Sequence, residues 1–274
     1  MYITNDPKIS AIAQEAGVDR IFVDMEYIGK ADRQGGMDTV QSHHTLEDVK
    51  RIKDGMTSAR LLVRCNPIHE KTDLSPGSEA EIDAIVQAGA DIIMLPYFKT
   101  VQQVRRFLDC VAGRCQTMLL IETPEAVANA DEILDIPGID EVLIGLNDLS
   151  LGYGKRFMFE LLADGTVETL CKRCARRGIP YGFGGIASLG KGLLPAEYVI
   201  GEHYRLGSGC AILSRSFCDV NRMKDLDQIR AQFTGGVRDI RAYEEHCRRN
   251  PQDYEQNRRD VVRIVGCIAE QVRK

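Results

Sequence analysis

The residues of this chain that are equipped for chemistry collect where short apolar runs end. Asp24 and Glu26 close the run Ile21–Glu26, and Arg64 and Asn66 end the run that starts at Ala59. Glu122 closes Thr117–Glu122, while Asn147 and Asp148 close Glu141–Asp148. Glu122 and Asp148 fall on neighbouring runs. Two carboxylates converging there, with water and substrate oxygens, suit a hard divalent ion such as Mg²⁺ or Mn²⁺. The competing reading is helix capping, because Glu122 stands just before Thr123-Pro124 and Asp148 just before Leu149-Ser150. Arg64 offers five donors in a fixed fork, which suits a carboxylate or a developing enolate oxygen. Its alternative is an ion pair with Asp24 or Glu26. Buried without partners, such charges would be strongly destabilising, so a shared polar mouth is the expected arrangement.

The elements that position these residues follow a regular alternation. Eight short, β-branched runs read as strands: Met1–Thr4, Ile21–Glu26, Ala59–Arg64, Asp91–Pro96, Thr117–Glu122, Glu141–Asp148, Pro180–Gly185 and Tyr204–Gly209. Helical signals lie between them. Asp6-Pro7 gives a cap followed by Pro, with Gly17 as the stop. Thr45 caps Leu46–Lys53 with Asp48 in the capping-box position, and Ser78-Glu79-Ala80-Glu81 repeats that pattern. Thr100 starts Val101–Val111, Pro124 starts a helix to Leu134, and Phe157–Arg177 spans one connection. Strands apolar on both faces and joined by helices imply parallel pairing, and eight units imply a (β/α)₈ TIM barrel. An open dinucleotide-binding sheet lacks support, since no GxGxxG follows the first strand. The barrel is expected over residues 1–218. A helical extension follows over 219–274, with Val220–Arg248 and Asp253–Arg273 as amphipathic helices, read either as outer-wall helices or as a subunit-contact arm.

Composition narrows the function classes. The chain has 274 residues, 44% hydrophobic and 27% charged, as in ordinary globular domains. A net charge of -5 argues against a general nucleic-acid partner. No apolar run approaches a membrane span, and Met1–Pro7 carries no signal-peptide pattern. The nine cysteines include one CxxC, Cys171 and Cys174, with no second pair, so they read as reduced thiols of a cytoplasmic protein.

Several segments together resemble one family. Val23-Asp24-Met25-Glu26, Leu62-Val63-Arg64-Cys65-Asn66-Pro67, Met94-Leu95-Pro96, Leu120-Ile121-Glu122-Thr123-Pro124-Glu125-Ala126 and Ile144-Gly145-Leu146-Asn147-Asp148-Leu149-Ser150 are similar to the HpcH/HpaI aldolase and citrate lyase β-subunit family, in matching order over roughly residues 1–215. The resemblance implies a metal-dependent carbon–carbon lyase acting next to a pyruvate-type 2-oxo acid through a metal-bound enolate. By it, Glu122 and Asp148 hold Mg²⁺ or Mn²⁺, and Arg64 stabilises the enolate oxygen. Asp24 and Glu26 line the site and hold metal-bound waters. Asn147, Gly145 and Pro96 join Arg64 in binding substrate, with backbone N–H groups around Asn147 and Asp148 on its carboxylate. The expected partners are a small 2-oxo acid with an aldehyde or acyl reactant, and further copies of the chain as a homo-oligomer.

Three departures stand against that pattern. The aldolase branch places His directly after the acidic pair, where this chain has Tyr27. The acidic residue expected on the helix before strand four falls at Gln87. The connection from Phe98 to Gln116 is short. A substitute base is sought in the long segment 27–44, where His43 and His44 are candidates. Lys30 and Arg33 there are candidates for binding an anionic portion of the second substrate. The glycines Gly182, Gly184, Gly185, Gly207 and Gly209 suit either a phosphate cradle or close barrel packing. An acyl-CoA lyase or thioesterase of the citrate lyase type, phosphoenolpyruvate-type chemistry and a catalytically silent barrel subunit are the alternatives.

Overall fold

The computed structural model describes residues 1–30, 42, 44–73 and 75–271. Its centre is a closed barrel of eight parallel strands in sequence order: β1 (Tyr2–Ile3), β2 (Arg20–Asp24), β3 (Arg60–Arg64), β4 (Ile92–Leu95), β5 (Gln116–Ile121), β6 (Glu141–Ile144), β7 (Tyr181–Ile186) and β8 (Cys210–Leu213). The expected (β/α)₈ TIM barrel is the fold found.

Side-chain alternation explains how the barrel fills and where its polar layer begins. Phe22, Leu62, Ile92, Met94, Met118, Leu120 and Leu143 pack together in the barrel interior. Their strand neighbours Ile21, Val23, Leu61, Val63, Ile93 and Leu119 pack outward against the helices. A strand repeats its direction every second residue. The next inward positions above Phe22, Leu62 and Leu120 are therefore Asp24, Arg64 and Glu122, one polar layer resting on the apolar interior. Strand register places Asp24 opposite Arg64.

The helices follow their predicted signals with instructive exceptions. Thr45 and Thr100 each form a reciprocal capping box, with Asp48 and Gln103 respectively. Helix α3 (Ser78–Gln87) does not: its cap is Gly77, at φ +81°, and no side chain caps it. Ser78 instead accepts the His69 N–H, and Glu81 turns into the protein. The Phe157–Arg177 connection holds two helices, α8 (Glu160–Ala163) and α9 (Thr166–Arg176), separated by Gly165 at φ +88°.

The eighth strand lies later than expected. Tyr204 and Leu206 mimic strand alternation, but they form the last turn of helix α10 (Ala196–Leu206), which Gly207 ends at φ +70°. The strand is the following Cys210–Leu213. Arg205 is accordingly a helical residue, paired with Glu202 and Glu168. Gly207 and Gly209 precede β8 and lie at the barrel end opposite the mouth, so they cannot cradle a phosphate at the active end. Gly182 packs tightly: a Cβ there would lie 2.2 Å from the Cys210 carbonyl oxygen.

Two long helices complete the described chain, α11 (Leu226–Arg249) and α12 (Tyr254–Gln271). Helix α11 packs on α1 (Pro7–Glu15) and α10, and α12 packs on α10 and α8. Asn257 of α12 donates to the Tyr198 carbonyl and to the buried Glu202 carboxylate. All nine cysteines are unbridged. Among the described residues, no helix is long and apolar enough to cross a membrane.

Candidate active site

The polar layer opens into a cavity of about 370 Å³ at the C-terminal end of the barrel, lined among others by Asp24, Lys30, Arg64, Glu122, Asn147 and Asp148. Arg64 grips Asp24 with both arms of a fork: Nε donates to Oδ1 at 2.8 Å and Nη2 to Oδ2 at 2.7 Å. Its Nη1 lies 3.4 Å from Glu26 Oε2, and its guanidinium sits over the Phe22 ring. Lys30 Nζ approaches the same Asp24 oxygen, Oδ2, at 2.8 Å and Glu26 Oε2 at 3.6 Å. Burial alone would raise the Asp24 carboxyl, but Arg64 and Lys30 outweigh it and hold the group well below the usual carboxylate range. The ion pair considered for Arg64 is thus present with both acids, and the guanidinium still faces the cavity.

Glu122 is not a helix cap. Thr123 caps the helix that follows, accepting the Ala126 N–H, while Glu122 Oε1 accepts the Tyr97 N–H at 3.0 Å from across the β4 end. Tyr97 holds that N–H in place from a left-handed conformation, φ +47°. Burial pushes the Glu122 carboxyl up to about 8, and the charges of Glu26 and Asp148 push the same way against Arg64.

Asn147 and Asp148 do not end a strand. β6 stops at Ile144, Gly145 caps helix α7 (Leu146–Gly152), and both residues fall in its first turn. Asp148 is buried. Gly145 occupies an inward position beside Glu122, where a Cβ would lie 2.8 Å from the Glu122 Cβ.

The remaining candidates divide. Glu26 is buried behind Arg64 and Lys30 and does not line the cavity. Pro96 is buried and likewise does not line it. His44 accepts the Asp24 backbone N–H on Nδ1 at 3.0 Å, and burial lowers its pKa. A neutral ring with Nδ1 as acceptor keeps its proton on Nε2. His44 therefore holds the β2 end, and this geometry offers no free nitrogen for a base. His43, Asp32, Arg33, Asp38 and the Gly35-Gly36 pair lie outside the described residues. Gln87 is exposed and bonds Asp83.

Sequence reasoning missed Glu81 and the loop after β8. Glu81 Oε1 accepts both the backbone N–H and the side-chain amide of Asn66. Asn66 Oδ1 in turn accepts the N–H groups of Tyr27 and Ile28. The signal was present, an acid on the inward face of α3, but the Ser78–Glu81 spacing also fits a capping box. Ser214, Arg215 and Asn221 line the cavity and follow a strand that the sequence places six residues too early.

A divalent cation fits the donor chemistry of this mouth. Among the described residues, four buried carboxylates, Asp24, Glu26, Glu122 and Asp148, gather at this mouth with the cations Lys30 and Arg64, and Arg215 also lines the cavity. The available donors are carboxylate oxygens, which suit a hard ion. Among the described residues, no group of three or more His, Cys, Asp or Glu surrounds a common point. Glu122 and Asp148, which both line the cavity, are the two residues that would hold such an ion.

A family model for HpcH/HpaI aldolase/citrate lyase matches residues 2–157, more than half of the chain. The chain belongs to the HpcH/HpaI aldolase/citrate lyase family. Its function is therefore of the general lyase and aldolase type. Two solved structures share the fold. An HpcH/HpaI aldolase from Desulfitobacterium hafniense DCB-2 is 18% identical, with a TM-score of 0.55 over 87% of this chain and 91% of the other. An HpcH/HpaI aldolase/citrate lyase family protein from Burkholderia cenocepacia J2315 is 14% identical, with a TM-score of 0.59 over 88% and 94%. No curated protein matches the chain.

Proposed function

We propose that this member of the HpcH/HpaI family makes or breaks a carbon–carbon bond next to a pyruvate-type 2-oxo acid, through an enolate, with Mg²⁺ or Mn²⁺ held by Glu122 and Asp148. The observation that carries the reading is the gathering of buried carboxylates at the mouth around an arginine that faces the cavity. A divalent ion there would supply Lewis acidity at the 2-oxo carbonyl.

The chain's own residues supply the rest. Asp24 fixes the plane of the Arg64 guanidinium, and Arg64 presents remaining N–H donors to the oxygen that gains charge as the enolate forms. Such preorganised donors stabilise the transition state because they need no reorientation when the charge appears. Phe22 and the apolar interior close the floor beneath Arg64. Gly145 and Asn147 line the cavity beside Glu122, and the side chain missing at Gly145 leaves the space that Glu122 occupies.

Pyruvate α-proton exchange tests this without a second substrate. The protein is incubated with pyruvate in D₂O, with and without Mn²⁺ or Mg²⁺, and the methyl signal is followed by NMR. Metal-dependent exchange that disappears in Glu122→Ala and Arg64→Ala is the expected result. Metal binding without exchange would overturn the pyruvate-enolate reading.

A further inference from the structure

We propose that Lys30 is a catalytic residue that binds the carbonyl oxygen of the second, electrophilic reactant; this rests on the aldolase reading and deepens it. Four observations converge on this residue. Tyr27, at the position where the aldolase branch has its His, is 52% exposed and does not line the cavity. Lys30, one turn later, is 4% exposed and does line it. Its nitrogen is fixed between Asp24 Oδ2 and Glu26 Oε2. An ammonium has three donors; Asp24 takes one as a hydrogen bond, and Glu26 draws a second at ion-pair distance. Among the described residues nothing else takes the third, and Lys30 lines the cavity.

Its placement relative to Arg64 fits the geometry of an aldol addition. Arg64 Nη2 and Lys30 Nζ both rest on Asp24 Oδ2, at 2.7 and 2.8 Å, so one carboxylate oxygen holds the two cations side by side. In the addition, the enolate oxygen and the carbonyl oxygen each lie within two bonds of the forming carbon–carbon bond. Neighbouring cations can hold neighbouring oxygens, one on each reactant. A counter-ion for Asp24 alone would not need Lys30, because Arg64 already binds both oxygens of that carboxylate.

The step balances without another reactant. The enolate carbon contributes the electron pair of the new bond, and the carbonyl π pair moves onto the oxygen held by Lys30. That oxygen then takes one proton from solvent, replacing the one lost from the pyruvate methyl. Nothing is oxidised or reduced. In cleavage the same contacts act in reverse.

The experiment compares three reactions of the metal-loaded protein: pyruvate α-proton exchange, oxaloacetate decarboxylation, and pyruvate consumption with acetaldehyde, glycolaldehyde or glyoxylate. The first two pass through the enolate without an aldehyde oxygen. In Lys30→Met, the ratio of condensation to exchange is expected to fall about 100-fold, the scale of losing one donor to a developing oxyanion. Lys30→Arg, which keeps the charge, should recover at least a tenth of the lost ratio. Should Lys30→Met not fold, Lys30→Gln keeps a donor to Asp24 and reads the same ratio. A parallel fall in all three reactions, with the ratio unchanged, would overturn the proposal and make Lys30 a positioning residue for Asp24. Condensation within threefold of the parent would also overturn it. Absence of exchange in the parent protein would remove the enolate reading itself. Exchange without condensation of any aldehyde would remove the proposal while leaving enolate formation intact.

Discussion

Gly145 and Glu122 share a space with room for only one side chain. A Cβ on Gly145 would lie 2.8 Å from the Glu122 Cβ and 2.9 Å from its Oε2. The backbone at Gly145 is ordinary, so the requirement is space rather than a left-handed turn. Gly145→Ala should push the Glu122 carboxylate out of line with Asp148. We expect divalent-ion affinity to fall about 10- to 100-fold, as when a support of a metal ligand is lost. Overpacking should cost about 1–3 kcal/mol of stability. Calorimetric titration with Mn²⁺ and urea unfolding read the two effects. Unchanged affinity would mean that Glu122 does not bind the ion.

The Asp24–Arg64 pair predicts an asymmetric mutational pattern. Arg64→Met removes the forked partner of Asp24 and the 3.4 Å neighbour of Glu26, leaving two buried acids with Lys30. Breaking a buried pair from one side typically costs about 3–5 kcal/mol, because a charge stays buried without its partner. Adding Asp24→Asn should recover part of that loss. Denaturant unfolding of the single and double variants measures the coupling, and additive losses would contradict it.

The pH dependence of the metal-free protein should carry the signature of Glu122. Its folded pKa lies near 8, above the ordinary value of 4.5, chiefly through burial. Between those values the folded state keeps a proton that the unfolded chain has released, so this group's contribution falls as pH rises through the window. Asp24 has the opposite sign: its contribution is present above its ordinary value and is lost only as pH falls well below it. His203, buried and lowered to about 3, favours the folded state above its ordinary 6.5 and loses that as pH drops. The total curve mixes these effects, so the difference between variants is the useful quantity. The stability advantage of Glu122→Gln over the parent should grow between pH 5 and pH 8 in thermal melts. Mn²⁺ should reverse it, because the ion favours the ionised carboxylate.

Much of this architecture was legible because two periodicities carry it. Alternation in Ile21–Asp24, Leu61–Arg64 and Met118–Glu122 fixes both the barrel interior and the polar layer above it. Where a residue's role depends on a partner distant in sequence, local pattern was insufficient. Glu81 has the spacing of a capping box, yet its partner is Asn66. Tyr204–Gly209 has the composition of a strand, yet packing completes a helix there and moves β8 to Cys210–Leu213. Asn147 and Asp148 look like the end of a strand, but the chain leaves β6 at Gly145, where Glu122 takes the space of a side chain.

The Glu81–Asn66 connection should decide how firmly Lys30 is held. Asn66 Oδ1 accepts the Tyr27 and Ile28 N–H groups at 2.9 and 3.0 Å, and the Lys30 N–H closes the same turn on the Tyr27 carbonyl. Asn66→Ala deprives two backbone donors of their acceptor. At roughly 1–3 kcal/mol for each buried group left unsatisfied, with partial relief from water, a loss of about 2–4 kcal/mol is expected. Glu81→Gln should be much milder. Its Oε1 position remains an acceptor for Asn66, and burial already pushes the Glu81 carboxyl towards its neutral form. Among the described residues Oε2 has no hydrogen-bond partner, only His69 Nδ1 at 4.0 Å, so replacing it with an amide breaks no hydrogen bond there. Hydrogen exchange gives the site-specific reading. Asn66→Ala should accelerate exchange at Tyr27, Ile28 and Lys30 while β5 and β6 stay protected. Glu81→Gln should leave all three amides near the parent rate. Equal acceleration in both variants would show that the charge of Glu81, rather than the Asn66 acceptor, holds the turn that carries Lys30 to the cavity.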